Sequence, residues 1–413
     1  FNTTNFVYLI YNIIMSRRGF GLVETLVGVA VFLVIAITVY QVYTRLFEGA
    51  NFSETKIIAA ALANEQAEII RNLPFSDVGL VSGIPIGKIQ PVQNTTKSGR
   101  EFIVTTTIRN VDDPFDGLLG GAPNDLSPAD YKLVEINITC SNCKSFIPVS
   151  FTTSVAPKNL ETVSNNGALF IQVFDANGVA ISGASAHIEN NAASPAIVID
   201  DVTNNAGMLQ IVDAPPGVET YEITVTKSGY TTDKTYLSGA PTNPNPLKPH
   251  ATVAIQQVTS ISFAIDRVST MDVASVSSTC APIGNIDFSM SGSRLIGTVP
   301  DVFKYSQNHT TNASGIKSIT NLEWDTYNLN FTDTIYDLAG SIPLLPIILA
   351  PNAVQDVKFI MVPKNPQSLM VTVKDAVTGL PVSDALVNLV GPGYDTTLTT
   401  NRGFLTQTDW SGG

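Results

Sequence analysis

The chain has 413 residues, of which 44% are hydrophobic and 14% charged, and it carries a formal net charge of −12. This length suggests two to four domains, and the acidic balance argues against a protein that binds a nucleic-acid backbone. Three cysteines are an odd number, which argues against a disulfide scaffold. The abundance of Thr, Ser, Asn, Gly and Pro is typical of all-β modules with polar turns.

The N-terminal residues are predicted to be removed or never translated. Met15 is the first plausible start, so we interpret residues 1–14 as upstream sequence or an over-long leader, and 1–19 as a segment outside the folded protein. The sequence also stops inside a repeat that is described below. We therefore expect the chain to be a fragment at both ends.

A long apolar segment follows two arginines. From Thr25 to Thr44 there are 20 consecutive uncharged residues, which at about 1.5 Å per residue span about 30 Å, the thickness of one hydrocarbon core. Arg17 and Arg18 precede the segment, which predicts a cytoplasmic N-terminus. Helical spacing of apolar residues continues until a proline, so we predict one helix over 20–73 that spans a membrane in 20–44.

The residues at the start of this segment form a specific pattern. Gly19 and Phe20 follow a short basic leader, and Glu24 follows after three more residues. The pattern closely resembles the processing motif of type IV prepilins and pseudopilins. In that family a prepilin peptidase cuts after the glycine, the new N-terminal Phe is methylated, and the glutamate serves assembly. The resemblance therefore implies cleavage between Gly19 and Phe20. Major pilins often have a proline in the first half of the helix, and its absence from this sequence favours a minor pilin or pseudopilin.

Glu24 needs a physical reason, because a charge at membrane depth costs about 2.5–3.5 kcal/mol on insertion scales. Two interpretations are open. Glu24 can be an interfacial residue of a plain membrane anchor, with its carboxylate among the lipid headgroups. Alternatively, in a bundle of such helices, Glu24 of one subunit pairs with the new amine of a neighbour's Phe20. That pair offsets two buried charges that would each be costly alone.

Residues 74–157 are predicted to form a pilin-like head, an antiparallel sheet on which the amphipathic second half of the helix packs. Period-2 alternation predicts three strands, in "REFIVTTTIRNV", "DYKLVEINITC" and "FIPVSFTTSV". An acidic loop separates the first two strands. Its carboxylates are candidate calcium ligands: Asp112, Asp113, Asp116, Asp125 and Asp130. The spacing matches no EF-hand, and acidic loops are usually only solvated, so we predict no metal site and keep calcium at Asp112, Asp113 and Asp116 as the alternative.

Cys140 and Cys143 form the motif CSNC at the end of the second predicted strand. A zinc site would need two further ligands, and the sequence has no second CxxC motif or His pair. A redox motif of this kind normally opens a helix in an α/β unit. We favour a local disulfide formed outside the cytoplasm, while free thiols and metal or redox chemistry stay open as alternatives.

An internal repeat occupies the rest of the chain. "VFDANGVAISGASAHI" (173–188) matches "VKDAVTGLPVSDALVNL" (373–389), and "TNNAGMLQI" (203–211) aligns without gaps to "TNASGIKSI" (311–319). "NRGFL" (401–405) repeats the centre of the second pattern, and a closing strand with a Tyr follows its first two copies. Turn signals every 8–12 residues predict all-β sandwiches. We expect three: 165–267, a divergent second over 268–366, and a truncated third over 367–413.

The amino-acid sequence of the first repeat resembles the prealbumin-like domains of the carboxypeptidase-regulatory type. The match is good over 167–237, weaker over 283–331 and partial over 368–413. The resemblance implies small Greek-key sandwiches that act as stalks and binding modules. It does not imply an enzyme, because a zinc carboxypeptidase needs a His-x-x-Glu pair with another His, and the three histidines here lack that spacing. We predict no catalytic residue and no cofactor.

The combined prediction is an α+β pilin-like N-terminal part followed by tandem all-β Greek-key sandwiches. The expected function is a minor pilin or pseudopilin that presents extracellular modules for filament or secretion-type assembly, or adhesion. Its partners would be a prepilin peptidase, other pilin or pseudopilin subunits, the membrane, and a surface carbohydrate or protein ligand. Two alternatives are a membrane-anchored ligand-binding protein that does not assemble, and the anchor region of an enzyme whose catalytic domain lies beyond residue 413.

Gly19→Leu should leave the basic leader attached, because the proposed peptidase site needs a small residue before the cut. Intact-mass measurement of the protein purified from membranes would then show the leader on the variant and a mature N-terminus at Phe20 on the wild type. The same mature N-terminus in both proteins would contradict the processing motif.

Overall fold

The computed structural model describes residues 21–144, 146–157, 163–364, 368–371, 373–380, 382, 384–400 and 408–411. Contacts divide the chain into two compact units. The first unit combines the helix up to residue 69 with 92–106 and 136–151. The second unit contains 70–91, 107–135 and the chain from 152 onward.

One long helix, α1 (Leu22–Arg71), opens the described chain. Its 50 residues correspond to a length of about 75 Å. Nearly all side chains in its first half are exposed, whereas Ala59, Ala63 and Ala67 are buried in its second half. The predicted single helix is confirmed, and the buried stripe lies in the half that was predicted to pack on the head.

The head contains a four-stranded sheet in the order β1-β2-β3-β4. The three strands predicted by alternation are confirmed, and a polar strand that alternation did not indicate is added at the edge. The bounds are β1 Val92–Lys97, β2 Arg100–Val111, β3 Tyr131–Cys140 and β4 Val149–Val155. Within the first unit, α1 is tied to this sheet by ion pairs between Glu54 and Arg100 (2.9 Å) and between Glu65 and Lys97 (3.3 Å).

The first sandwich packs two sheets around one core. Their strand orders are β12-β5-β8 and β10-β9-β6-β7, with β11 also paired to β9. Inward residues such as Leu169, Ile188, Ile223 and Phe263 are fully buried. The bounds are β5 Gly167–Phe174, β6 Ser185–Asn190, β7 Ile197–Val202, β8 Met208–Ala214, β9 Gly217–Thr226, β10 Asp233–Lys234, β11 Ala251–Val253 and β12 Val258–Ala264.

The second sandwich repeats this plan with sheets β18-β13-β22-β20 and β17-β14-β19-β21, and β15 pairs with β16. Phe288 and Phe359 meet edge to face in its core, with ring centroids 5.4 Å apart. The bounds are β13 Ser269–Val276, β14 Asp287–Gly292, β15 Leu295–Gly297, β16 Val302–Phe303, β17 Ser306–Thr310, β18 Ile316–Leu322, β19 Asp325–Phe331, β20 Tyr336–Ile342, β21 Ile347–Leu349 and β22 Val354–Pro363.

Two strand pairs are described in the last predicted sandwich. Strand β23 (Ser368–Val371) pairs with β26 (Thr408–Ser411), and β24 (Leu386–Gly391) pairs with β25 (Tyr394–Thr399). The segment "NRGFL" lies outside the described residues. An α+β N-terminal part followed by tandem β-sandwiches is therefore the observed fold class, as the sequence predicted.

The repeated Thr-Asn-x-x-Gly pattern has the same structure in both sandwiches. Thr203 and Thr311 are buried, and each hydroxyl accepts the N–H of the residue that begins the facing segment, Ala184 or Ile286, at 3.0 and 2.9 Å. The glycines that close the two turns have φ of 70° and 73°, which glycine adopts without strain. Thr400 repeats this contact in the third copy, where it accepts the N–H of Ala385 at 2.8 Å.

The first and last strands of each of the first two sandwiches are parallel neighbours. Strand β12 pairs with β5 from Val258↔Ala168 to Ala264↔Phe174. Strand β22 pairs with β13 in the same way, from Thr270↔Val354 to Val276↔Ile360. Each of these two sandwiches is therefore closed by the two ends of its own sequence.

The second unit also joins part of the head to the first sandwich. Val198 donates its N–H to the Ser82 carbonyl at 2.6 Å, and Ile84 belongs to the first sandwich core. Arg109 on β2 forms a two-pronged ion pair with the buried carboxylate of Asp201 on β7. The loop after α1 therefore contributes directly to the sandwich.

Thr203→Val should destabilise the first sandwich by about 1–3 kcal/mol, because it leaves the Ala184 N–H and the Ile181 carbonyl without their shared hydroxyl. Thr203→Ser keeps both hydrogen bonds and is the matched control, with a loss of about 1 kcal/mol or less. Hydrogen exchange of the β6 and β8 amides, read by mass spectrometry, should accelerate about tenfold in the Val variant. Equal exchange in the Val and Ser variants would show that the hydroxyl contacts contribute nothing.

Candidate functional site

The start of α1 presents a carboxylate that folds back onto its own helix. Oε2 of Glu24 accepts the N–H of Gly21 at 3.2 Å. This N–H is one of the free donors of the first helical turn, and a negative charge there interacts favourably with the helix dipole. Gly19 and Phe20, the predicted processing residues, lie outside the described residues. The observed geometry thus gives Glu24 a local helix-capping contact, whatever its role between subunits.

The helix after Glu24 exposes an unbroken apolar surface. Side chains such as Leu26, Phe32, Val39 and Phe47 are more than half exposed. The helix is long and apolar enough to cross a membrane by length and composition, and its apolar window is not buried in the protein. Contiguous exposed apolar surfaces of this kind are typical of sites that contact a membrane or another protein.

In the acidic loop between β2 and β3, the carboxylates that lie close together are not the three that are closest in the sequence, Asp112, Asp113 and Asp116. Ligand oxygens of Asp116, Asp125 and Asp130 lie within 4.8 Å of one another. Asp113 instead uses its carboxylate to accept the N–H of Phe115 at 3.1 Å. Burial and the neighbouring carboxylates together raise the pKa of Asp112.

The predicted cysteine pair lies directly after β3. The structure has a disulfide between Cys140 and Cys143, with Cα atoms 5.6 Å apart. The Sγ of Cys140 also lies 3.5 Å from the side-chain oxygen of Asn142, between the two cysteines. Cys280 is a free, exposed cysteine in a turn of the second sandwich.

A partly buried charge network that the sequence patterns do not indicate joins the two sandwiches. Asp233 of the first sandwich binds Lys248 at 2.6 Å, and Lys304 of the second binds Glu323 at 2.8 Å. Lys304 also lies 3.9 Å from Asp233, and Arg294 forms a further ion pair with Glu323. The partners in these ion pairs are 15 to 71 positions apart along the chain, so only the folded structure reveals their proximity.

A cavity of about 320 Å³ adjoins this network. Tyr230 comes from the first sandwich, and Tyr305 and Tyr327 come from the second, where their rings meet edge to face at 5.5 Å. Asn321, which lines the cavity, has a φ of 58°, a conformation uncommon for a residue other than glycine. In such a cavity, the aromatic rings can pack against the apolar faces of a polar ligand, while the carboxylate and amide groups form hydrogen bonds with its hydroxyls.

No family model and no curated protein matches the chain. Among solved structures it is similar to the Bacillus anthracis TIE protein, at 12% identity and a TM-score of 0.21, over 78% of this chain and 66% of that one. It is also similar to a streptococcal ancillary pilin, at 13% identity and a TM-score of 0.23, over 56% of this chain and 76% of that one. A third similar structure is the minor pilin GBS52 of Streptococcus agalactiae, at 14% identity and a TM-score of 0.22, over 48% of this chain and 99% of that one. These scores are too low for the likeness to carry an argument about this chain.

The three histidines occupy separate parts of the sandwiches and make different contacts. His187 on β6 binds Asp200 through Nδ1 at 2.6 Å and Glu189 through Nε2 at 2.9 Å. These two carboxylates raise the pKa of His187. His250 contacts the Thr235 hydroxyl at 3.0 Å, and His309 contacts the Tyr305 hydroxyl.

His187 should stabilise the first sandwich more at acidic than at alkaline pH. Its pKa is raised on folding by Asp200 and then by Glu189, so its contribution is fully present below the unfolded pKa of about 6.5. The contribution is lost as pH rises through the higher folded pKa. Thermal unfolding from pH 5.5 to 9 should show His187→Gln losing stability only at the acidic end. His250→Gln, which removes a ring bound to a hydroxyl, is the control, and identical pH profiles for both variants would contradict the assignment.

Proposed function

We propose that the chain is a type IV pilin-like minor subunit or pseudopilin. The observation that carries the proposal is one unbroken helix whose exposed apolar half begins at Glu24 and whose second half packs within the head. The Gly19-Phe20 motif before it supports processing by a prepilin peptidase. In this proposal the protein has no catalytic role and is held in a membrane by residues 20–44 before it assembles.

The exposed half of α1 supports both membrane anchoring and assembly. Lipid can cover its apolar side chains in the membrane, and equivalent helices of other subunits can cover them in a filament. With the N-terminus in the cytoplasm, as Arg17 and Arg18 favour, the head and sandwiches lie on the other side of the membrane. A disulfide at Cys140–Cys143 is consistent with that location, because disulfides persist outside the reducing cytoplasm.

The contact between Glu24 and Gly21 sharpens the question of what the carboxylate does. A cap needs only an oxygen that accepts the Gly21 N–H, which a glutamine amide also supplies. An ion pair with the amine of a neighbouring subunit needs the negative charge. Capping and pairing therefore predict different behaviour for Gln at this position.

A second candidate function is a membrane-anchored surface protein that binds a ligand and never assembles. The cavity beside Tyr230, Tyr305 and Tyr327 favours it, because the three rings and adjacent polar groups form a concave site on the extracytoplasmic modules. Carbohydrate or protein would be the ligand. The prealbumin-like resemblance of the modules is compatible with either function.

Glu24→Val and Glu24→Gln should both abolish co-assembly while membrane insertion persists. Removing one partner of a buried ion pair typically costs about 3–5 kcal/mol, and about 1.4 kcal/mol is a factor of ten, so assembly should fall at least about a hundredfold. The measurement is the fraction of protein in sheared filaments, or crosslinked to a pilin partner, at matched membrane levels.

Glu48→Gln is the matched control, since it makes the same chemical change on the same helix beyond the apolar segment, where Glu48 lies 3.8 Å from Arg45. It should assemble as the wild type does. Wild-type assembly by Glu24→Gln with loss in Glu24→Val would assign the residue to helix capping. Wild-type assembly by both variants, or recovery of no protein in filaments, would favour the ligand-binding alternative.

A further inference from the structure

The acidic loop of the head contains buried carboxylate oxygens that have no hydrogen-bond partner among the described residues. Asp125 is only 9% exposed, and its Oδ1 accepts the N–H of Ser127 at 2.8 Å. Its second oxygen, Oδ2, is buried and has no hydrogen-bond partner. Buried polar atoms are nearly always partnered, so this orphan oxygen requires an explanation.

Asp112 shows the same arrangement on the strand side of the loop. Its Oδ2 accepts the N–H of Leu119 at 2.9 Å, while its Oδ1 is buried and unpartnered. Asp130 is oriented likewise, with Oδ2 accepting the N–H of Asp113. Three carboxylates are thus each fixed through one oxygen by a backbone N–H, and Asp112 and Asp125 each keep a second, buried oxygen free.

The negative charges of these groups repel one another, because the carboxylates are close together and partly removed from water. Asp116, Asp125 and Asp130 have carboxylate oxygens within 4.8 Å of one another. Like charges in a poorly hydrated place destabilise each other more strongly than in bulk water. A bound cation would convert that repulsion into attraction.

We propose that this loop binds one calcium ion, with Asp116, Asp125 and Asp130 as ligands and Asp112 beside them. Carboxylate oxygens are the ligands of hard divalent cations, and calcium accepts irregular sets of six to eight oxygens. Magnesium demands near-octahedral geometry and keeps its waters, so it should bind more weakly. Asp116 is exposed, which gives the ion a path from solvent. The inference is independent of whether the protein assembles.

The direct test is calorimetric titration of CaCl2 into the full chain in detergent micelles, after treatment with a chelator and dialysis. One ion should bind with a Kd of about 10⁻⁴–10⁻³ M, as in extracellular modules, and MgCl2 should bind at least about tenfold more weakly. Absence of binding up to about 10 mM CaCl2 would overturn the proposal.

Two isosteric variants distinguish a proposed ligand, Asp125, from Asp113, which lies in the same loop but is not a proposed ligand. Asp125→Asn should lower calcium affinity by at least about tenfold, because it removes a charged ligand. Asp113→Asn changes an adjacent carboxylate that faces Phe115 instead, so its affinity should stay within about threefold of the wild type. Equal effects of the two variants would overturn the assignment of the ligands.

Thermal unfolding distinguishes a ligand from a residue that only stabilises the loop. Calcium should raise the unfolding temperature of the wild type, since an ion that binds the folded state stabilises it by mass action. Asp125→Asn removes a repelling charge, so in chelator it should be at least as stable as the wild type and should gain nothing from calcium. A variant that is less stable in chelator yet gains as much from calcium as the wild type would overturn the proposal.

Discussion

The first half of α1, which packs against no other part of the described chain, sets the conditions for the rest of the molecule. Its apolar side chains are exposed and would be covered by lipid or other helices in the proposed function, while the same helix must continue without a break into the half that packs on the head sheet. Ala59, Ala63 and Ala67 meet the second requirement, because their spacing of four places three small buried side chains on one face, where a sheet can approach closely. Charged pairs at Glu54 and Glu65 flank that face. One helix therefore combines an exposed apolar half with a half that packs on the head sheet, and the difference lies in its composition.

The features that sequence could predict are those determined by neighbours in the chain. Strand β2 has the limits that period-2 alternation indicated. In the two Thr-Asn-x-x-Gly turns, Asn204 and Asn312 each accept two backbone N–H groups from the next four residues, because a short turn contains these determinants itself. The closing-strand tyrosines, Tyr221 and Tyr327, are both fully buried with a hydroxyl on a backbone carbonyl. Features whose contacts lie within a short stretch of chain can therefore be predicted from the sequence of that stretch.

What sequence could not predict depends on residues far apart. Strand β1 is too polar for alternation to reveal, and it is a strand because it pairs with β2 across a tight turn at Ser98 and Gly99, both with positive φ. The acidic loop offered five carboxylates, and only the fold shows that Asp113 turns away while Asp125 turns inward. The charge network between the sandwiches likewise requires both sandwiches to be folded.

The parallel pairing of first and last strands has a mechanical consequence. Tension along the chain pulls β5 from its N-terminal end and β12 from its C-terminal end, so the two strands are drawn past each other in shear. All hydrogen bonds of the ladder are then strained together, whereas a hairpin pulled from its open end unzips one bond at a time. Strands β13 and β22 repeat this geometry directly downstream. Two shear-loaded ladders in series would let the exposed part of the protein withstand pulling forces while each sandwich stays folded.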